Sequence, residues 1–459
     1  MSLEKVVVGK FTEKVASTST SAWFADARES EKSLSRLLIA FITSGTLFML
    51  FPGTFLGVWN LVQISGRESV ASISPAWLQA HGHAQVFGWV GSFILGIGFY
   101  SIPKFRGGAP RSLLPSWTCW AMWTTGAALR WAANVYLWHW RALLPFSAAL
   151  EMAAFLIFFR SVAGHRSAKR LDRWIWVVAS ASMVLLLVLM LNLVGCLYVA
   201  YRGTTPAFPH LFDQRYLALI AWGFLVPIVW GFSARWMVVF LGLRPVRSRL
   251  LLAAVVTNLL GLASVLCGFG FAGSCLLVFG VALATAAMRM FEPALNEPKT
   301  RGIHSSFPFF VRLAYVWLVV AALLGVAATR WDHSGGIWGA SRHALTVGYV
   351  SIMILCVGQR VLPAFAGMRM LWSTKLMFAG LAFVALGCTL RVSSEVLAYQ
   401  DIATLAWSIL PVSALLELGG LTLFAINLLG TFALLPSHLK RRTAGRGHRR
   451  REIALSRCL

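Results

Sequence analysis

The chain has 459 residues, of which 58% are hydrophobic and only 12% charged, with a formal net charge of +25 at pH 7. Soluble domains carry about 25% charged residues, so a single water-soluble core of this composition is excluded. The Lys and Arg excess falls in short stretches between apolar runs, which favours a lipid surface over nucleic acid as its partner.

Residues 1–35 are Ser/Thr-rich and of mixed charge, with no apolar core of a cleaved signal, and are expected to form a polar cytoplasmic segment. Residues 36–436 form a membrane domain. Its apolar runs of about 20 residues fit spanning helices; barrel strands would alternate over about ten. The predicted spans are 36–59, 77–103, 115–137, 142–163, 174–200, 215–242, 250–268, 272–291, 307–329, 343–363, 376–399 and 403–435. Residues 437–459 are a basic tail, KRRTAGRGHRRR from Lys440 to Arg451, expected to meet anionic headgroups in the cytoplasm. The seven cysteines lie mostly inside apolar runs with no C-x-x-C and read as small core residues.

With the N-terminus placed in the cytoplasm, the five inner loops hold fourteen Lys and Arg and the six outer loops five. That asymmetry predicts twelve helices with both ends cytoplasmic, in a bacterial inner membrane. The segment HAQVFGWVGSFILGIGFYSIPKFRG from His83 matches HALTVGYVSIMILCVGQRVLPAFAG from His343 at ten of twenty-five ungapped positions. These are the second and tenth spans. An offset of eight predicts three repeats of four helices, with the second, sixth and tenth equivalent, rather than the two six-helix halves of many transporters.

His81, His83 and His343 lie at the outer ends of their helices. Ionisable groups at membrane depth are costly and usually face a site, and imidazole is a common axial ligand of haem iron. Two residues apart on a helix, His81 and His83 project about 200° from each other, so only one of them joins His343 on one iron. The glycines that follow, Gly88, Gly91, Gly96, Gly98, Gly348 and Gly358, serve close helix packing or clearance for a macrocycle. Arg130 and Arg391 are candidate partners of haem propionates, and Arg391 with Glu395 could instead form an i,i+4 pair. Glu151 and Glu417, near mid-span, are either hydrogen-bonded carboxyls or parts of a proton path. Gly268, Gly270 and Gly273 spell G-x-G-x-x-G between two apolar helices, without the strand that a dinucleotide site needs.

The H-x-H of AHGHAQVFGWVGSFILGIGFYSIPKF, Arg342–Leu345 with Arg360–Val361, and the stretch GFLVPIVWGFSARWMVVFLG around Gly231 and Arg235 resemble the NnrS family. More distantly the chain resembles subunit I of the haem–copper oxidases. The resemblance implies an all-α arrangement of three four-helix repeats, with haem held by His343 and either His81 or His83. It implies a role in nitric oxide or nitrosative stress by haem redox chemistry or NO binding, with an electron donor that the residues do not specify. Copper is weakly supported. The sixth and seventh spans lack histidine, Ser341 stands where a second H-x-H would need its first His, and His210 before the sixth span is the nearest spare. A solute or proton-coupled transporter, an oxidase or NO reductase without its copper site, and a scaffold without cofactor remain as rivals.

Overall fold

The computed structural model describes residues 29–105, 113–163, 172–367 and 370–433. Among them stand twelve long helices and no strand. They are α1 Glu29–Arg67, α2 Pro75–Lys104, α3 Leu114–Tyr136, α4 Trp140–Ala163, α5 Arg173–Arg202 and α6 His210–Phe240. The second half holds α7 Ser248–Leu266, α8 Gly270–Met288, α9 Phe307–Trp331, α10 Gly336–Phe365, α11 Thr374–Tyr399 and α12 Leu405–Ala433. Eleven are long and apolar enough to cross a bilayer; α3 falls short because Ser, Thr, Asn and Arg130 interrupt its apolar residues. In hydrocarbon every backbone group must be paired internally, which is why these runs form helices. Leu187, Val194, Phe279, Leu323 and Leu386 are exposed on the outside of the bundle and form its lipid face. The molecule is a multi-pass membrane protein.

Each predicted span has its helix, and the ends moved by a few residues. The largest change is α1, which begins at Glu29, so residues 29–35 of the expected polar segment are helical. His210, expected in a loop, is the exposed first residue of α6. The basic tail and residues 1–28 lie outside the described residues. Gly268 occupies the tight turn between α7 and α8 with φ +94°, which accounts for its glycine without any nucleotide.

The expected threefold repeat is visible in the backbone. The last two helices of each repeat, α3–α4, α7–α8 and α11–α12, pack as tight antiparallel hairpins. The second helices, α2, α6 and α10, are the most buried and meet at the centre. Each of these three carries a π-helical stretch: Ala84–Gly91, Leu219–Leu225 and Ala344–Ser351. The stretches begin 135 and 125 residues apart, at equivalent places. Gly88, Gly223 and Gly348 each take the fifth position of their stretch. There the first helix of the same repeat presses in: a Cβ would lie 2.8 Å from Phe48 of α1, 2.7 Å from Val184 of α5 and 2.5 Å from Trp317 of α9. Gly88 and Gly348 therefore serve close helix packing rather than clearance for a macrocycle.

Candidate functional site

Two polar clusters lie on either flank of α2, at the end of the bundle where α2, α6 and α10 begin. Membrane-depth charges are costly unless paired, so clusters of this kind need an account.

The first cluster joins α1, α2, α10, α11 and α12. Its geometry starts in α1, where Pro52 sits within a π-helical stretch, Met49–Phe55. Proline lacks an N–H and disturbs the regular helical ladder. The Gly53 carbonyl in that stretch accepts the Nδ1–H of His81 at 2.9 Å. One turn on, Gly57 leaves room for the ring: a Cβ there would lie 2.6 Å from His81 Cε1. His343 makes the corresponding bond within α10, donating Nδ1–H to the Gly339 carbonyl at 2.9 Å, with a Glu395 carboxylate oxygen equally near. Arg391 of α11 approaches His343 Nε2 at 3.4 Å and the Glu395 carboxylate at 3.3 Å. His343 and Arg391 are both within electrostatic reach of His81. The start of α10 is held by Asp332, whose carboxylate accepts from Gly335 N and Trp338 N, each at 2.7 Å. That cap fixes the register of His343. Both histidines thus carry their proton on Nδ1, bonded to a main-chain carbonyl. Nε2 is then the acceptor nitrogen of each ring, and on His343 it already lies against the Arg391 guanidinium. An Nδ1 held by a carbonyl is the arrangement usual for an imidazole that ligates a metal.

The second cluster joins α2, α3, α4 and α5. His83 Nε2 lies 2.7 Å from Glu151 Oε1, and its ring stacks on Phe87 at 4.5 Å. Asn192 of α5 donates to the other Glu151 oxygen at 3.2 Å. Arg130 of α3, 2% exposed, contacts the Cys196 sulfur and lies over the Phe208 ring at 4.6 Å. Arg130 is therefore linked to the His83–Glu151 pair through Cys196 and Asn192, and Arg391 contacts His343 directly. His81 and His83 part as their 200° separation requires, one toward α1 and one toward α4. Arg391 and Glu395 do form the i,i+4 pair.

The two clusters are built on one template. Gly126-Ala-Ala-Leu-Arg130 in α3 repeats as Gly387-Cys-Thr-Leu-Arg391 in α11. Leu144-Pro-Phe-Ser-Ala-Ala-Leu-Glu151 in α4 repeats as Leu410-Pro-Val-Ser-Ala-Leu-Leu-Glu417 in α12. In both hairpins the glycine packs on the glutamate: a Cβ on Gly126 or Gly387 would lie 2.8 Å from the Cγ of Glu151 or Glu417. The Gly-x-x-Leu-Arg and Leu-Pro-x-Ser-Ala-x-Leu-Glu strings are the sequence signal of this second repeat, separate from that of the histidine segments. The partners differ. Glu151 is bonded by His83 and Asn192, whereas Glu417 is half-buried, with its buried Oε1 lacking a partner among the described residues. The second repeat unit, α5–α8, carries Ala218 at the place of His83 and His343, immediately before its π-helical stretch. No group of three or more His, Cys, Asp or Glu placed to hold a metal ion occurs among the described residues.

The NnrS family profile, described as NnrS protein, matches residues 39–433. This chain belongs to the NnrS family. No curated protein matches it. Among 34 similar chains of solved structures is a haem–copper terminal oxidase dimer determined by cryo-EM. That chain superposes with a TM-score of 0.53 at 12% identity, over 88% of the NnrS chain and 85% of its own. At that identity the likeness establishes the fold: the NnrS chain has the three-repeat, twelve-helix arrangement of the oxidase subunit.

Proposed function

We propose that this NnrS chain is a haem-binding protein of the bacterial cytoplasmic membrane that responds to nitric oxide or nitrosative stress. The observation that carries the reading is the matched pair His81 and His343. They come from different helices, lie at the same end of the bundle, and each has Nδ1 held by a carbonyl, so that Nε2 is the nitrogen a metal would take, on His343 in place of its contact with Arg391. The donor set fits haem: two neutral imidazoles, with the guanidinium of Arg391 beside them as partner for a propionate. When bound, haem would supply one-electron redox chemistry and an iron that takes nitric oxide in exchange for one of the two imidazoles. Glu395 and Gly339 keep the His343 ring in its tautomer, and Gly53 and Gly57 seat the His81 ring.

His83 has another part in this reading. Its Nε2 is engaged with Glu151, so it braces α2 against α4 and leaves His81 as the ligand on that helix. Copper finds no support in the side chains: α6 and α7 bring only the exposed His210, and no three-residue metal group is present among the described residues. The fold likeness to an oxidase therefore carries no oxygen- or NO-reducing centre with it.

The test of the NO reading is titration of the dithionite-reduced, haem-loaded protein with nitric oxide. The reading predicts conversion to a ferrous nitrosyl spectrum at micromolar NO. A spectrum unchanged at millimolar NO would leave haem as an electron carrier and remove the NO-binding role.

A further inference from the structure

The cavity at the centre of the bundle is not part of either polar cluster. It lies where α2, α6 and α10 meet, and has a volume of about 90 Å³. We propose that this cavity binds a small uncharged gas molecule of diatomic or xenon size.

Its lining is repeated around the axis. Val90, Leu225 and Val350 form one layer and Ile94, Val229 and Ile354 the next. The members of each layer are 135 and 125 residues apart, the spacing of the π-helical stretches, which contain the first layer. Most of these side chains are β-branched and stiff at χ1, so they cannot easily turn inward to fill the space. The cost of a void falls when neighbours collapse into it, and two such layers, each built from three helices, resist that collapse.

Chemistry narrows the occupant. No Asp, Glu, Lys, Arg or His lines the cavity, which disfavours ions strongly. A trapped water wants two to four polar partners. Here the polar lining groups are the Ser233 hydroxyl and the Trp236 indole, and the places equivalent to Ser233 on α2 and α10 are Gly98 and Gly358. Size narrows it further. Dry apolar cavities of about 150 Å³ take benzene or xenon. A cavity of about 90 Å³ is large enough for a diatomic gas or one xenon atom and falls short of the space that takes benzene. Apolar gases also concentrate in the hydrocarbon that surrounds the bundle, so supply is from the membrane. The proposal rests on the function proposed above only in naming nitric oxide as the natural occupant.

The test is xenon-pressurised crystallography of the full chain, in wild type, Ile354→Phe and His343→Ala. The expected result is one xenon on the axis in wild type and in His343→Ala alike, with occupancy at least fivefold lower in Ile354→Phe. Should the added ring prevent folding, Val350→Leu is the substitute, with occupancy at least halved. Absence of xenon from the axis in wild type, density for an acyl chain there, or undiminished xenon in the filled variant overturns the cavity proposal. Its failure is distinguishable from failure of the haem reading, because xenon binding does not depend on the histidines. Axial xenon in a protein that binds neither haem nor nitric oxide supports the cavity and overturns nitric oxide as its occupant.

Discussion

Glu151 and Glu417 occupy equivalent places in two hairpins, and their surroundings set different consequences for losing them. Glu151 is fully buried and bonded by His83 and Asn192. Removing one member of a buried pair leaves the other without compensation, at about 3 kcal/mol or more. Glu417 has one oxygen without a partner, so its loss removes less. Glu151→Ala is therefore expected to lower the thermal midpoint in detergent by several degrees more than Glu417→Ala, measured on both proteins by unfolding fluorescence. Equal midpoints would contradict the pairing that fixes His83. The residue scale is also where the sequence was least informative. The helical period shows that His81 and His83 diverge, but which one meets His343 depends on Gly53 and Gly57 of α1 and on Glu151 of α4. Those contacts join residues far apart in the chain, and no local pattern announces them.

At the scale of elements, the π-helical stretches set how the three central helices meet their neighbours. Each stretch adds a wide turn between the end that bears a ligand or its equivalent and the part that lines the axis. Deleting Val347 from the stretch of α10 would restore a regular helix and rotate His343 by about 100° relative to the axial layers. The expected outcome is loss of bound haem with helical circular dichroism retained; a deletion protein with full haem would show that the wide turn is dispensable. Helix number and period were legible, because apolar runs of bilayer length separated by charged loops leave few alternatives. The equivalence of α2, α6 and α10 was legible from ten matches in one pair of spans, although α6 itself has Ala218 where the others have histidine. The wide turns were not legible, since no residue type specifies them. The start of α1 at Glu29 was missed because a polar helical extension outside the apolar run leaves no hydropathy signal.

The whole molecule is an oxidase-like frame whose three equivalent positions are furnished differently. In the first repeat the histidine is taken by Glu151, in the second Ala218 replaces it, and in the third His343 faces His81 from the neighbouring repeat. The proposed haem would accordingly number one per chain. The arrangement is decided most directly by the optical spectrum of the purified protein, oxidised and dithionite-reduced, beside His81→Ala, His83→Ala and His343→Ala. The account predicts a sharp Soret band and α-band in wild type, lost in the His81 and His343 variants and kept by His83→Ala in whatever fraction of it folds. A colourless wild type expressed with ample haem, or a spectrum that His83→Ala abolishes while His81→Ala preserves it, would contradict the account.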